Sequence, residues 1–411
     1  MSESLASATA AEAAPYFPMD REAGRPLDPP AELRSTVTER PVFRVRIWDD
    51  SSPWIVTGHA EQRTLLSDPR VSVDDRLPGF PHWNEGIAKM APHRPDSVFN
   101  TDPPTHTRYR RMMTAPFTFK RVQAMRPVVQ RITDELLDTM AAAPAPADLV
   151  KAVAVPVPTL MICEILGVPY DDHDFFQHHA TIGVDKYATE EQAMQSFAAQ
   201  MQYLVGLVEQ RAAEPQDDVI SDLAQRVVSE EINSFEAASM GLGLLIAGHE
   251  TSANMIGLGV LALLQNPDQL AILRDTDDPA VVANAVEELL RYLGIIHNGQ
   301  RRIAKGDIDI AGQPIKSGEG IIIELASANR DPREFDDPGR LDLNRAARSH
   351  HAFGYGIHQC IGQQLARVEL QVVFGTIFKR LPNLRLAVPA EEIEFKHDRL
   401  AYGVYGLPVS W

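Results

Sequence analysis

One cysteine of the sequence lies in a setting that favours reactive chemistry. Cys360 ends a glycine-rich stretch, residues 353–362, and directly precedes a helical pattern over residues 361–381. The amide groups and the dipole at a helix start favour a thiolate over a thiol. Such a thiolate could attack a substrate, with His358 as a candidate base, or it could bind a metal ion. A buried cysteine with only a packing role is the remaining alternative.

A second unusual pattern interrupts the long apolar stretch of residues 238–264. Gly248 costs about 1 kcal/mol in a helix relative to alanine, and Glu250 and Thr251 compete there for backbone hydrogen bonds. Such local violations cluster at functional sites. An acidic group at the centre of a bilayer costs on the order of 3 kcal/mol, so the stretch predicts a buried helix. A kinked core helix without a chemical role is the alternative.

Two further pairs have the spacing of one helix face. His106 and Arg110 follow a Pro-Pro turn at i, i+4, and together they suit a carboxylate or a phosphate. A solvated basic face would have the same spacing. Glu288 and Arg291 stand at i, i+3 in another helical pattern and predict an ion pair.

The elements that must position these residues are mostly helical. Apolar and charged residues alternate over residues 42–48 and, after a turn, strand-like residues 54–58 predict a hairpin. Residues 60–267 are mainly helical in pattern, except for a proline-rich break over residues 77–104 that is typical of a lid or binding loop. Short strands are expected at residues 308–310 and 320–323.

These motifs, in this order, resemble those of the cytochrome P450 family. The Phe-Gly-x-Gly-x-His-x-Cys-x-Gly pattern at residues 353–362 is similar to its haem-ligand loop, and Ala-Gly-His-Glu-Thr at residues 247–251 to its oxygen-activation helix. The likeness is greatest to soluble actinobacterial enzymes. It implies a mainly α fold, a single large P450-type helical domain with a minor β portion over residues 17–411, after a flexible tail at residues 1–16.

The resemblance also implies a role for each candidate residue. Cys360 would bind the iron of haem b (iron protoporphyrin IX) and donate electron density to it. Glu250 and Thr251 would be the catalytic pair that supplies protons for oxygen activation. The implied partners of the haem propionates are His106, Arg110, Arg302 and His358. Arg340 would be a third charged partner of the Glu288–Arg291 pair, which is structural.

The implied activity is that of a haem-thiolate monooxygenase. It would use O2 to hydroxylate or epoxidise an apolar small molecule, such as a secondary metabolite or a xenobiotic. The sequence has no Gly-x-Gly-x-x-Gly that opens a βαβ unit, so electrons would come from a ferredoxin with a separate reductase. The implied substrate-pocket segments are residues 77–100, 175–193, 244–251 and 294–299.

Three other functions fit the residues less well. A haem enzyme that uses peroxide or reduces nitric oxide usually lacks the acid represented by Glu250. A non-enzymatic haem carrier or sensor, which is the main alternative from another class, needs no acid–threonine pair. A thiol hydrolase built on Cys360 and His358 would need an oxyanion site and an orienting carboxylate, and the sequence suggests neither.

Composition excludes several classes of partner. Lys and Arg number 39 against 56 Asp and Glu, a net charge of −17, which disfavours nucleic acid and anionic membranes. Cys163 and Cys360 are too few for a disulfide framework or a cysteine-rich zinc site. The N-terminus has no basic segment followed by an apolar one, as an export signal would. We therefore expect a cytoplasmic monomer, with a local basic patch for ferredoxin at Arg108, Arg111, Lys120, Arg121 and Arg367.

Overall fold

The computed structural model describes residues 14–184 and 189–411. Its helices are α1 (Ala31–Glu39), α2 (His59–Leu66), α3 (Glu85–Met90), α4 (Thr105–Thr114), α5 (Phe119–Ala124), α6 (Arg126–Ala142), α7 (Pro156–Leu166), α8 (His173–Val184), α9 (Glu190–Ala213), α10 (Val219–Val228), α11 (Ser234–Gln265), α12 (Pro267–Arg274), α13 (Pro279–Tyr292), α14 (Leu325–Ala328) and α15 (Gln363–Arg380). Its strands are β1 (Val42–Arg44), β2 (Trp54–Val56), β3 (Val71–Ser72), β4 (Ala147–Asp148), β5 (Gln300–Ala304), β6 (Ile308–Ile310), β7 (Gln313–Ile315), β8 (Gly320–Ile323), β9 (Arg385–Leu386) and β10 (Pro408–Ser410). The predicted mainly helical chain with a minor β portion is confirmed.

The described chain forms two compact units, and α4 and α13 each contribute to both. The first unit comprises the described residues up to Tyr109, together with residues 287–360 and 397–402. The second unit comprises residues 110–286, 361–396 and 403–411 in their described parts. Residues 1–13 of the predicted tail lie outside the described residues. The described chain enters the first unit at once, since Tyr16 pairs with Arg46 and Phe17 is 1% exposed.

A five-stranded sheet organises the first unit. Its strand order is β1-β2-β8-β5-β3, with β2 and β8 parallel and the other neighbours antiparallel. Side chains alternate between its faces: Ile321 and Ile323 belong to one apolar cluster, while Ile55 and Ile322 belong to another. Because both faces are covered, Arg301 and Arg302 in β5 must point to opposite sides of a buried sheet.

The second unit is built around α11, a helix of 32 residues. It begins at a capping box, in which the Asn233 side chain accepts from the Glu236 amide at 2.9 Å and the Glu236 carboxylate accepts from the Asn233 amide at 2.8 Å. It ends at Asn266, because Pro267 opens α12. Helices α7, α9, α10 and α15 pack against it, and β4, β10 and β9 form a small sheet at the side.

No single described helix is long and apolar enough to cross a membrane. Helices α11 and α12 reach the required length and composition only as a pair, and the chain bends by 113° between them. Most of α11 is buried inside the protein. This burial agrees with its prediction as a core helix.

Candidate functional site

The loop around Cys360 is closed by its own backbone. The Cys360 amide donates to the Phe353 carbonyl at 2.9 Å, and the Gly354 amide donates to the His351 carbonyl at 2.8 Å. The Cys360 side chain is exposed, although cysteines without a disulfide are among the most buried residues in proteins. Helix α15 begins three residues later, at Gln363. The loop therefore presents a thiol just ahead of a helix start, as the spacing predicts.

Two glycines set the path of this loop. Gly354 and Gly356 have φ angles of +68° and +74°, which side-chain-bearing residues rarely adopt. A Cβ at Gly356 would collide with the Leu66 carbonyl, and a Cβ at Gly354 would lie 3.0 Å from the side-chain Nε2 of Gln300. The glycines thus let the loop lie against α2 and β5.

Arg302 reaches this region from β5. Its Nη2 donates to the Gln300 side-chain oxygen at 3.1 Å and its Nη1 to the Arg301 carbonyl at 2.7 Å. Burial lowers the pKa of Arg302 to about 10, although the charge of Asp102 opposes that shift. Within the part of the chain that the structure describes, no carboxylate forms an ion pair with it. Arg302 is therefore a partly desolvated cation suited to bind an acidic group.

His106 and His358 come together in the first unit. Their ring centroids lie 4.1 Å apart with a 52° angle between the ring planes, and His106 is 3% exposed. Arg110 follows His106 by four residues on α4, as the spacing predicts. An exposed thiol, a desolvated guanidinium and two adjacent imidazoles form a donor set that fits an iron porphyrin with acidic side arms.

The motif in α11 forms an accessible strip on a buried helix. Ile246 and Ala247 are exposed and Glu250 and Thr251 are half-buried, while the helix on either side is mostly enclosed. Residues 247, 250 and 251 share one face of the helix. The Thr251 hydroxyl donates to the Ala247 carbonyl at 2.7 Å. That is the backbone bond expected of a threonine inside a helix.

The opposite face of the same turn carries buried polar groups. His249 and Ser252 are each 5% exposed. Burial lowers the pKa of His249 to about 4, with a further contribution from Lys396, so this imidazole is neutral at pH 7. The Ser252 hydroxyl hydrogen-bonds to Glu369, whose pKa burial raises to about 8.

Glu369 was missed by the sequence analysis. It is 1% exposed on α15, and its Oε2 has no hydrogen-bond partner among the described residues. The available signal was its place in an apolar run, since Leu365 and Val373 stand four residues before and after it. The spacing could show burial, but the contact with Ser252 on another helix could not be read from it.

The predicted ion pair exists, but its third partner was wrong. Both Glu288 and Arg291 have fully buried side chains, with Nε–Oε2 and Nη2–Oε1 distances of 2.7 and 2.8 Å. The third charged partner is Arg345, whose Nε donates to Glu288 at 3.2 Å. Arg340 contributes its carbonyl to Arg291, while its side chain donates to Asp342 at 2.8 Å.

Two other expectations are modified. The proline-rich break at residues 77–104 contains the short helix α3, which an Asn84 side-chain cap begins. Arg121 of the proposed basic patch forms an ion pair with Asp217, and its Nη1 lies 3.9 Å from Oδ2 of Asp222, so carboxylates already neutralise its charge.

Of the predicted pocket segment at residues 175–193, residues 185–188 lie outside the described part of the chain.

Comparisons with known proteins agree with this geometry. The sequence model of the family described as "Cytochrome P450" matches residues 184–398. The chain is 57% identical to cytochrome P450 CYP105Q4 of Mycobacterium marinum, over 100% of both chains. It is 52% identical to cytochrome P450 GfsF of Streptomyces halstedii, over 98% of this chain and 97% of that one. The crystal structure of GfsF matches with a TM-score of 0.93 over 97% of this chain and 100% of that chain. A pentalenic acid synthase of Streptomyces avermitilis is 44% identical over 98% of this chain and 99% of that one.

Proposed function

The chain belongs to the cytochrome P450 family and is a haem-dependent monooxygenase, and we propose that Cys360 is the ligand of its iron. The supporting observation is the exposed thiol at the end of a glycine-shaped loop, in the same unit as Arg302, His106 and His358. Haem b is the form that we propose. When bound, it supplies the activation of O2 that inserts one oxygen atom into a substrate.

The propionates of this haem would be held by His106, Arg110, Arg302 and His358. Arg302 contributes a cation that no described carboxylate neutralises, and burial has already lowered its pKa. Charge-assisted hydrogen bonds to carboxylates are roughly twice as strong as neutral ones. The imidazole rings of His106 and His358, whose centroids lie 4.1 Å apart, supply further hydrogen-bond donors next to each other.

We propose that Glu250 and Thr251 together deliver the protons that the monooxygenase reaction consumes. A hydroxyl can donate one hydrogen bond and accept two, and the Thr251 hydroxyl donates its hydrogen bond to the Ala247 carbonyl. Its oxygen is thus available to accept a hydrogen bond from a water molecule, and so to orient that water. Half-buried Glu250, one residue earlier on the accessible strip, would exchange protons with solvent.

Electrons would come from a ferredoxin and its reductase, as is typical of the relatives. The substrate would be an apolar secondary metabolite or xenobiotic. One relative is named for the synthesis of pentalenic acid, which supports a natural product. The monomeric state, the cytoplasmic location and the domain boundary at residue 17 stay predictions.

The first experiment tests the iron ligand. We expect the purified protein to contain haem b by the pyridine haemochrome assay and to give a thiolate-type spectrum when reduced under CO. Cys360→Ser should abolish that spectrum, whereas Cys163→Ser, the matched change at the buried cysteine, should retain it. A thiolate spectrum in the Cys360→Ser variant would contradict the assignment.

The second experiment tests the proton supply with ferredoxin, reductase and NADH. Thr251→Ala should keep the CO spectrum but lower the ratio of product formed to NADH consumed, with peroxide released instead. Ser252→Ala removes the neighbouring hydroxyl, which faces Glu369, and should keep wild-type coupling. Equal coupling in Thr251→Ala and wild type would overturn the role of Thr251. Turnover with NADH alone would overturn the need for a ferredoxin.

A further inference from the structure

Arg301 lies on the side of β5 that faces away from the Cys360 loop. Its neighbours Gln300 and Arg302 hydrogen-bond to each other on the loop side, and side chains alternate along a strand. Arg301 is 3% exposed. Its guanidinium carbon lies 5.4 Å from the ring centroid of Phe17 and 5.8 Å from that of Trp83. The cation is thus enclosed partly by aromatic rings.

The enclosed nitrogens of Arg301 have no acceptor within the described chain. Nε and Nη1 are both buried and neither donates to a described protein atom. Burial lowers the pKa of Arg301 to about 9, which still leaves it charged at neutral pH. A buried charge without a partner costs free energy, so a group that supplies an anionic acceptor there gains affinity.

Neighbouring groups leave this positive charge uncompensated. His82 lies within reach of the charges of Asp75 and Arg301, but burial is the main influence and lowers its pKa, so it is neutral at pH 7. Its Nδ1 is enclosed without a described partner. Asp75 is 4% exposed and binds Arg94, with an Nη1–Oδ2 distance of 2.6 Å. Arg94 engages only Oδ2 of Asp75, Oδ1 has no described hydrogen-bond partner, and no described ion pair joins Asp75 to Arg301.

We propose that Arg301, beside the rings of Phe17 and Trp83, and the neighbouring His82 form a subsite for the carboxylate of an apolar acid. The guanidinium suits a carboxylate in charge and in planar geometry, and the aromatic rings suit an apolar chain. His82 and Trp83 are half-buried, so the subsite lies close to the surface of the proline-rich segment. The proposal rests on the proposed function in one respect, namely that this acid is an effector of the monooxygenase.

The test is isothermal titration calorimetry of the haem-loaded protein at pH 7.5 with decanoate and with decanamide. The two probes have the same chain and differ in charge. We expect wild type to bind decanoate about tenfold or more tightly than decanamide. Arg301→Gln should bring the two affinities together. Arg274→Gln removes an exposed arginine that pairs with Asp275 and should keep the wild-type difference.

Two results would overturn the subsite. One is a decanoate affinity in wild type that is unmeasurable or no higher than that of decanamide, a comparison that requires no variant to fold. The other is an undiminished preference for decanoate in Arg301→Gln that retains the CO spectrum. The heat of binding needs no turnover, whereas the CO spectrum and product formation test the monooxygenase itself. A failure of the carboxylate subsite would therefore appear in the calorimetry alone, and a failure of the monooxygenase assignment in the CO spectrum and product formation.

Discussion

Glu369 should make the stability of the protein depend on pH. Its carboxyl group is buried on α15 beside the Ser252 hydroxyl, and burial raises its pKa from 4.5 to about 8. In the unfolded chain the same group is solvated and titrates near the ordinary value. Between these two values the folded protein keeps a proton that the unfolded chain releases.

The sign and size of the effect follow from this difference. Below pH 4.5 both states are protonated, and the group does not penalise folding. As the pH rises from 4.5 towards 8, the free energy of unfolding falls by about 1.4 kcal/mol per unit. The fall ends above the folded pKa, after a total on the order of 5 kcal/mol. Glu369→Gln keeps the size of the side chain but cannot titrate, so it should escape this loss.

The assay is urea unfolding of the haem-loaded protein at pH 5, 6, 7 and 8. The stability of Glu369→Gln relative to wild type should rise steadily across the series. Glu391→Gln, at an exposed position, should follow the wild-type curve. Parallel curves for Glu369→Gln and wild type would refute the argument, because they would mean that Glu369 titrates alike in both states.

Three more outcomes are expected from other residues. Arg291→Ala leaves the carboxylate of Glu288 buried without its main partner and should cost about 3–5 kcal/mol in urea unfolding; a loss below about 1 kcal/mol would contradict a buried pair. His106→Ala should speed haem loss to an excess of apomyoglobin, and an unchanged rate would remove His106 from the propionate partners. Gly356→Ala should lower the thermal midpoint more than Gly312→Ala, since both have positive φ but only Gly356 also meets a carbonyl; equal losses would mean that φ strain alone matters.

Local patterns predicted the elements well. The hairpin pairs Val42 with Val56, within the predicted segments, and the strands at Ile308–Ile310 and Gly320–Ile323 have the expected bounds. The helix expected over residues 361–381 runs over Gln363–Arg380. Each prediction needed only the period of apolar residues and the turn residues at its ends. Such signals act over a few residues and are fully present in the sequence.

Contacts between distant segments were harder to predict. The pair of Glu288 and Arg291 follows from helical spacing, but its third partner lies more than fifty residues further on. There the choice between Arg340 and Arg345 depends on how the chain turns after Asp336 and Asp337, whose carbonyls also accept from Arg345. Side-chain type could not decide it, because both candidates are arginines.

Arg301 and Glu369 are two buried ionisable residues with atoms that lack a hydrogen-bond partner in the described chain, and they illustrate the same limit from the other side. Glu369 breaks a local rule that a sequence can show, since it is an acid in an apolar helix face. Arg301 stands between Gln300 and Arg302, so the pattern of its strand does not reveal its burial. The two groups differ in how the free-energy cost of their burial can be lowered. Glu369 can become neutral by keeping a proton, whereas Arg301 remains charged at pH 7. A group that can become neutral needs no ligand, whereas a buried cation that stays charged at pH 7 is stabilised by an anionic one. That difference is why the acid predicts a pH-dependent stability and the arginine predicts a binding partner.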